Sequence, residues 1–157
     1  MRILIKNRQS IEKQALLPFD DKTALISITD SDITFASLLF QPKYLLQLHF
    51  NDIDNDIFID ELGWGVKPTE SQRKKTEEKY TMLTDEKAKQ IAEFYFSVED
   101  KVDTIICQCE YGQSRSAAVA AAILEFRSKR GIEIFSNDKY FPNKVVFRKV
   151  FRALKGE

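Results

Sequence analysis

The sequence predicts an α/β fold with a mainly parallel central sheet flanked by helices. Short apolar runs that read as strands alternate with longer stretches of helical periodicity, the order in which parallel strands are joined through crossover helices. One junction, Cys109-Glu110-Tyr111-Gly112-Gln113-Ser114-Arg115-Ser116, lies between a strand-like run and an alanine-rich helix, so a tight loop should join a strand end to a helix start. At 157 residues the chain has the size of one domain with a real core, and a single domain over residues 1–157 is expected.

Residues 2–6 and 24–28 read as short strands bounded by polar residues and turn formers. Residues 44–50 are mostly apolar and read as a third strand, buried on both faces. From 51 to 80 the pattern turns polar, with Gly63, Gly65 and Pro68 as breakers and a charged run at 73–79, so a long loop with one helical turn is expected. Thr84 then caps a helix that runs to Val98, with Asp85 and Glu86 in its first turn and Ala88, Ile91, Ala92 and Tyr95 on its core face. Residues 103–107 form the strand that feeds the loop. The alanine-rich helix runs from about Gln113 to Lys129, with Gly131 placed to stop it. A last helix from about Asn143 puts Phe147, Val150, Phe151 and Leu154 on one face.

Lysine plus arginine equals aspartate plus glutamate at 24 each, so no overall field draws in nucleic acid or an anionic membrane. Anion binding must be local. The apolar start at 1–6 is too short for a signal peptide and no later run approaches a membrane span, which predicts a cytoplasmic protein. Two cysteines two positions apart make no disulfide framework. No His/Cys cluster has metal-ligand spacing, and neither a metal nor another cofactor is expected.

The loop carries the chemistry. A strand that feeds a tight turn and a helix N-terminus offers backbone N–H groups from Glu110, Tyr111, Gly112, Gln113 and Ser114 to an anion that the helix dipole also favours. Arg115 adds a planar fork for the same anion. In such a cup the Cys109 thiol should ionise more readily and act as a nucleophile toward phosphorus. Gly112 permits the unusual dihedrals of a tight cradle, and the alanines that follow let the helix pack closely. Ser116 can offer its hydroxyl to the sulfur, or it can simply start the helix.

This run, CEYGQSRS followed by AAVAAAILEF, resembles the protein tyrosine phosphatase superfamily, in particular its small dual-specificity-like branch, whose motif is cysteine, five residues, arginine and serine or threonine. Similar phosphatases carry a strand like 24–28 followed by an acidic turn, and one like 44–50 followed by an Asp-rich loop. With the helix at 84–98, the likeness spans most of the chain. It implies a cysteine-dependent phosphatase that hydrolyses phosphomonoesters, on phosphotyrosine or phosphoserine/threonine in proteins or on a small phosphoester, through a phosphocysteine intermediate. One position departs from the pattern: Gln108 stands where the family has the histidine that orders the loop. A non-catalytic phosphate-binding module or a thiol redox enzyme built on the same loop are the alternatives.

Ester cleavage also needs a proton for the leaving oxygen. In the resembling enzymes the acid follows the third strand, as Asp52 does, with Asp54 and then Asp56 as rivals. His49, the single histidine, reads as a satisfied strand residue. Cys107 reads as a buried apolar cysteine, the sharper possibility being that it traps an oxidised Cys109. Glu110 and Gln113 put no extra cation in the loop, which argues against polyphosphorylated lipid. Trp64, between two glycines, either moves near the pocket or anchors its loop to the core. Lys144, Arg148, Arg152 and Lys155 make a basic stripe on the last helix, a solvated face or a guide for an acidic or phosphorylated partner.

Overall fold

A computed structural model describes residues 1–157. Four parallel strands, β1 (Arg2–Lys6), β2 (Thr23–Thr29), β3 (Tyr44–His49) and β4 (Thr104–Gln108), form one sheet in the order β1-β4-β2-β3. Helix α1 (Arg8–Gln14) follows β1. Helices α2 (Asp56–Leu62), α3 (Glu70–Lys79) and α4 (Asp85–Val98) separate β3 from β4. After β4 come α5 (Arg115–Ser128), α6 (Ile132–Phe135) and α7 (Lys144–Leu154). The expected α/β class with a parallel sheet is what the chain adopts.

The strand alternation sorts the core into two faces. Ala24, Ile26 and Ile28 of β2 and Ile105 and Cys107 of β4 join the buried sides of α4, α5 and α7 in the main apolar cluster. Leu25 and Ile106, one residue out of phase, pack with Ile11 of α1 and with Ala36 on the opposite face. Helix α5 is covered all round, with Arg115 through Ile123 buried. The alanines of this run let α5 approach β1, β4, α6 and α7 at once.

Several expectations need correction. The segment 51–80 is not a long loop with a single turn, since α2 and α3 occupy most of it. Its charged composition hid α3, which has almost no apolar stripe, whereas a capping box marks its start: Thr69 Oγ1 accepts from the Gln72 N–H and Gln72 Oε1 from the Thr69 N–H. Strand β3 lies at the sheet edge and is half-buried instead of covered on both faces. Gly131 does not end α5. Lys129 does, in the left-handed region at φ 59°, while Gly131 starts α6 with its Cα pressed so near the Ala121 carbonyl that a Cβ would fall 2.8 Å from that oxygen. In α7 the fully buried residues are Val145, Val146, Val150 and Leu154, and Phe147 and Phe151 are half-buried with their rings stacked at 5.8 Å. Helix α1 was not foreseen at all.

Cys107 sits in the middle of this core, fully enclosed, where burial and then the nearby Cys109 push its thiol well above its ordinary value. The folded state therefore holds this proton where the unfolded chain would release it. Its contribution to stability is whole below about pH 8.5, the ordinary thiol value, and shrinks as the pH rises above that. Cys107→Val should flatten the alkaline fall in stability relative to the parent chain, measured by urea unfolding between neutral and alkaline pH.

Candidate functional site

All four strands end on the same side, and the segments leaving their C-terminal ends meet there, as expected for an open parallel sheet. Strand β4 lies between β1 and β2, so the loop it feeds, 109–114, is flanked by the ends of both. Cys109, Tyr111, Gln113, Ser114 and Arg115 line a cavity of about 270 Å³ together with Asp52 and Phe141. Glu110 turns its side chain away, toward Arg8 at 3.6 Å, and Gly112 contributes backbone alone.

The hydrogen bonds of the loop run one way. Most of its carbonyls are taken: Cys109 O accepts from Gln108 Nε2 at 3.0 Å, Glu110 O from the Arg8 N–H at 3.1 Å, Gln113 O from the Phe141 N–H at 2.8 Å, and Ser114 O from the Ala118 and Asn143 N–H groups. The N–H groups from Glu110 to Ser114 donate to no protein acceptor. A segment whose acceptors are mostly engaged and whose donors are unpaired, set at the start of a helix, can receive an oxyanion.

Close packing holds this shape. Gly112 has φ 66°, and a Cβ there would lie 2.7 Å from the Asn7 nitrogen and 2.8 Å from the Lys6 carbonyl carbon. The loop thus lies directly against the β1–α1 junction, where Lys6 O also accepts from the Cys109 N–H. Glycine is required on both counts, conformation and space.

Gln108 occupies the position at which the sequence departs from the family pattern. It is buried, its Oε1 accepts from Ser27 Oγ at 2.5 Å, and its Nε2 donates to Cys109 O. The amide links β2 to the first peptide of the loop with both its ends satisfied. Ser27 faces Gln108 in the β2–β4 register, which brings the pair within reach.

Arg115 is 3% exposed, yet its charge is not stranded. Nη1 donates to Phe50 O at 2.7 Å and lies 2.7 Å from Asp30 Oδ1, while Nε is buried with no partner. One end of the guanidinium is anchored and a donor remains for a ligand. Asp30, from the acidic turn after β2, was not singled out in the sequence. A buried arginine needs a carboxylate nearby, and here that carboxylate comes from a turn far away in sequence.

Cys109 Sγ and Ser116 Oγ are 3.0 Å apart and both residues are buried. Asp52 lines the same cavity. Its Oδ1 accepts from Ser114 Oγ and Asn143 Nδ2, each at 2.8 Å, and Oδ2 takes no hydrogen bond from the protein. Asp54 accepts from the Asp56 N–H in a local turn, and both these residues line a neighbouring cavity that excludes Cys109. The structure therefore separates the three aspartates by position. Asn143 was read only as a helix start. It does cap α7 through Oδ1, and its Nδ2 holds Asp52 and Ile53 O as well. Phe141, exposed on the rim, also went unmarked.

His49 lies outside the cavity, with Nδ1 3.0 Å from Asp30 O and its ring stacked on Phe35. Trp64 is 85% exposed, so it does not anchor its loop to the core, and it lines none of these cavities. Cys107 and Cys109 are both free thiols, the first inside β4 and the second at the start of the loop that β4 feeds. No group of three His, Cys, Asp or Glu side chains comes together as a metal-ligand set. No helix is long and apolar enough to cross a membrane.

Two substitutions test how the loop is held. Gly112→Ala should lower stability by about 1–3 kcal/mol and weaken tungstate binding, read by urea unfolding and titration calorimetry. Gln108→Leu strands the Ser27 hydroxyl and the Cys109 carbonyl, at about 1–3 kcal/mol for each buried unpaired group. Gln108→His should recover most of that loss.

No protein-family model matches the chain, and no curated protein matches it in sequence. Solved structures do. A mouse putative dual specificity phosphatase, crystallised with zinc tungstate, superposes with a TM-score of 0.50 at 15% identity over 98% of this chain and 82% of its own. TpbA of P. aeruginosa gives 0.46 at 15% identity over 99% and 80%, and PTPMT1 in complex with PI(5)P gives 0.46 at 13% identity over 99% and 91%. The likeness is one of fold: the all-parallel four-stranded sheet flanked by helices matches the fold of the mouse putative dual specificity phosphatase.

Proposed function

We propose that residues 1–157 form a single cysteine-phosphatase domain that hydrolyses phosphomonoesters, with phosphorylated tyrosine or serine/threonine of proteins as the substrate. The observation that carries this reading is the pairing of Cys109 Sγ with Ser116 Oγ at 3.0 Å beside a run of unpaired backbone N–H groups and the unpartnered Arg115 Nε. The N–H groups and Arg115 bind the non-bridging phosphate oxygens. Charge gathers on those oxygens as the bond to the leaving group stretches, so a preorganised cradle stabilises the transition state more than the ground state.

Cys109 Sγ attacks phosphorus as the thiolate. The S–P bond forms while the P–O ester bond breaks, and the departing oxygen takes the proton of Asp52, held on the free Oδ2. The carboxylate then removes a proton from water, whose oxygen attacks the phosphocysteine. The S–P bond breaks, inorganic phosphate leaves, and the thiolate returns with the Ser116 hydroxyl donating to it. Exposed Tyr111 and Phe141 flank the entrance and offer apolar walls to the ring or chain that bears the phosphate.

Cys109→Ser should abolish turnover of an aryl phosphate and keep oxyanion binding, because the cradle persists without its nucleophile. Arg115→Ala should lose both. Substantial hydrolysis by the Cys109→Ser chain would sink the mechanism. A parent chain that binds tungstate yet turns over no phosphomonoester would establish the non-catalytic phosphate-binding module in its place.

The acid is tested separately. Asp52→Asn should slow esters with poor leaving groups by about 10²–10⁴-fold while sparing those with activated leaving groups. Asp54→Asn, whose carboxylate lies outside the cavity, should be mild. The comparison is made by kcat across a series of aryl phosphates of graded leaving-group acidity, and the reverse order of the two variants would move the acid along the loop.

A further inference from the structure

Three cavities run side by side from the loop to α7. The cavity beside Cys109 shares Asp52, Ser114 and Phe141 with the next, which in turn shares Asn55, Val145 and Arg148 with a third of about 340 Å³. The middle one carries both signs, Asp52, Asp54 and Asp56 against Lys144 and Arg148. The third contains no carboxylate. It combines apolar Phe58, Val66 and Val145 with Arg73, Arg148 and Arg152.

The cations of this face fall into two sets. Lys149 is neutralised by Glu77 and lies 3.5 Å from Asp85, and Lys155 pairs with Glu157 at 2.6 Å. Lys144, Arg148 and Arg152, spaced four residues apart on one side of α7, have no carboxylate within ion-pair distance, and neither has Arg73, whose guanidinium sits over the Phe58 ring at 5.4 Å. In a chain with zero formal net charge, this local excess of unpaired arginine beside apolar walls is a departure from the rest of the surface. Arginine over an aromatic ring, next to exposed apolar side chains, suits a carboxylate-bearing polypeptide that brings both charge and apolar contact.

We propose that this groove binds an acidic segment of the phosphoprotein substrate, continuous with the phosphorylated residue in the cavity of Cys109. The inference rests on the phosphatase reading above. A substrate chain leaving past Phe141 crosses the middle cavity and sets Glu or Asp side chains against Arg148, Arg152 and Arg73. These residues select among substrates and take no part in bond breaking.

The test compares p-nitrophenyl phosphate with two phosphotyrosine peptides, one flanked on both sides by Glu and the other by Gln, on the full chain and its Arg148→Ala/Arg152→Ala variant. The Glu peptide should have a kcat/KM about tenfold above the Gln peptide, the value of two to three exposed charge pairs. That advantage should reside in KM, fall below about twofold in the double variant, and fade at about 0.5 M salt. Turnover of p-nitrophenyl phosphate, too small to reach the groove, should be the same in both chains. Equal kcat/KM for the two peptides, or an advantage the double variant retains, overturns the proposal.

Failure of the phosphatase reading is seen apart from this, as no turnover of p-nitrophenyl phosphate. The groove is then read by anisotropy of the labelled Glu and Gln peptides on the Cys109→Ser chain with and without the double substitution, where a Glu preference that the double substitution removes upholds it and equal binding overturns it. Binding of phosphatidylserine vesicles or polyuridylate that the double variant loses, with no preference between peptides, assigns the groove to another occupant and also overturns it.

Discussion

The loop 109–114 has to keep a row of backbone N–H groups unpaired inside a folded protein, and the rest of the site follows from that requirement. Unpaired donors invite the chain to collapse onto any available carbonyl. Here most of the loop's own carbonyls are already engaged: those of Cys109, Glu110, Gln113 and Ser114 accept from Gln108, Arg8, Phe141, Ala118 and Asn143. The contact of Gly112 with Lys6 and Asn7 then removes the space in which the loop could refold. The donors stay free while most of the acceptors are bonded elsewhere, by groups from β4, α1, α5 and the segment before α7.

The same economy governs the charged groups. A guanidinium that is 3% exposed is tolerable only with compensation, which Asp30 and the Phe50 carbonyl supply to Nη1. These partners come from the ends of β2 and β3, so sheet order decides the orientation of Arg115. Asp52, just past β3, is fixed from the other side by Ser114 and Asn143. Ser114 stands at the N-terminus of α5 without capping it; its hydroxyl goes to the carboxylate instead, which leaves the first N–H groups of that helix directed at the cavity. Asn143 divides its amide, with the oxygen on its own helix and the nitrogen on Asp52, and so couples α7 to the position of that carboxylate.

What the sequence made legible is what local chemistry determines. Short apolar runs bounded by polar residues marked the strands, Thr84 and its following acids marked the start of α4, and the cysteine-to-arginine spacing marked the loop, because each signal lies within a few residues of the feature it marks. Long-range partners left no such trace. Asp30 is a turn aspartate until β2 is laid beside β4, and Asn143 is a helix cap until Asp52 comes within 2.8 Å of it. Helix α3 escaped for a different reason: a helix of charged residues with one buried threonine has no hydrophobic period to read, and only its cap declares it. Edge placement was equally invisible, since β3 is apolar enough for a central strand but pairs with β2 alone.

Gln108 shows how the departure from the family pattern can be absorbed. A side chain at this point must do two things: tie the loop's first peptide to the sheet and remain satisfied in a fully buried position. An amide meets both conditions with one donor and one acceptor, provided that a hydroxyl lies across the register on β2, and Ser27 is that hydroxyl. The order of the loop therefore does not depend on an imidazole, and the pair is electrically neutral. Unlike a histidine, it brings no titration of its own near the sulfur, so the field at Cys109 is left to the backbone N–H groups, the α5 terminus and Arg115. Glutamine at 108 and serine at 27 form one device, and a change at either residue has to be judged together with the other.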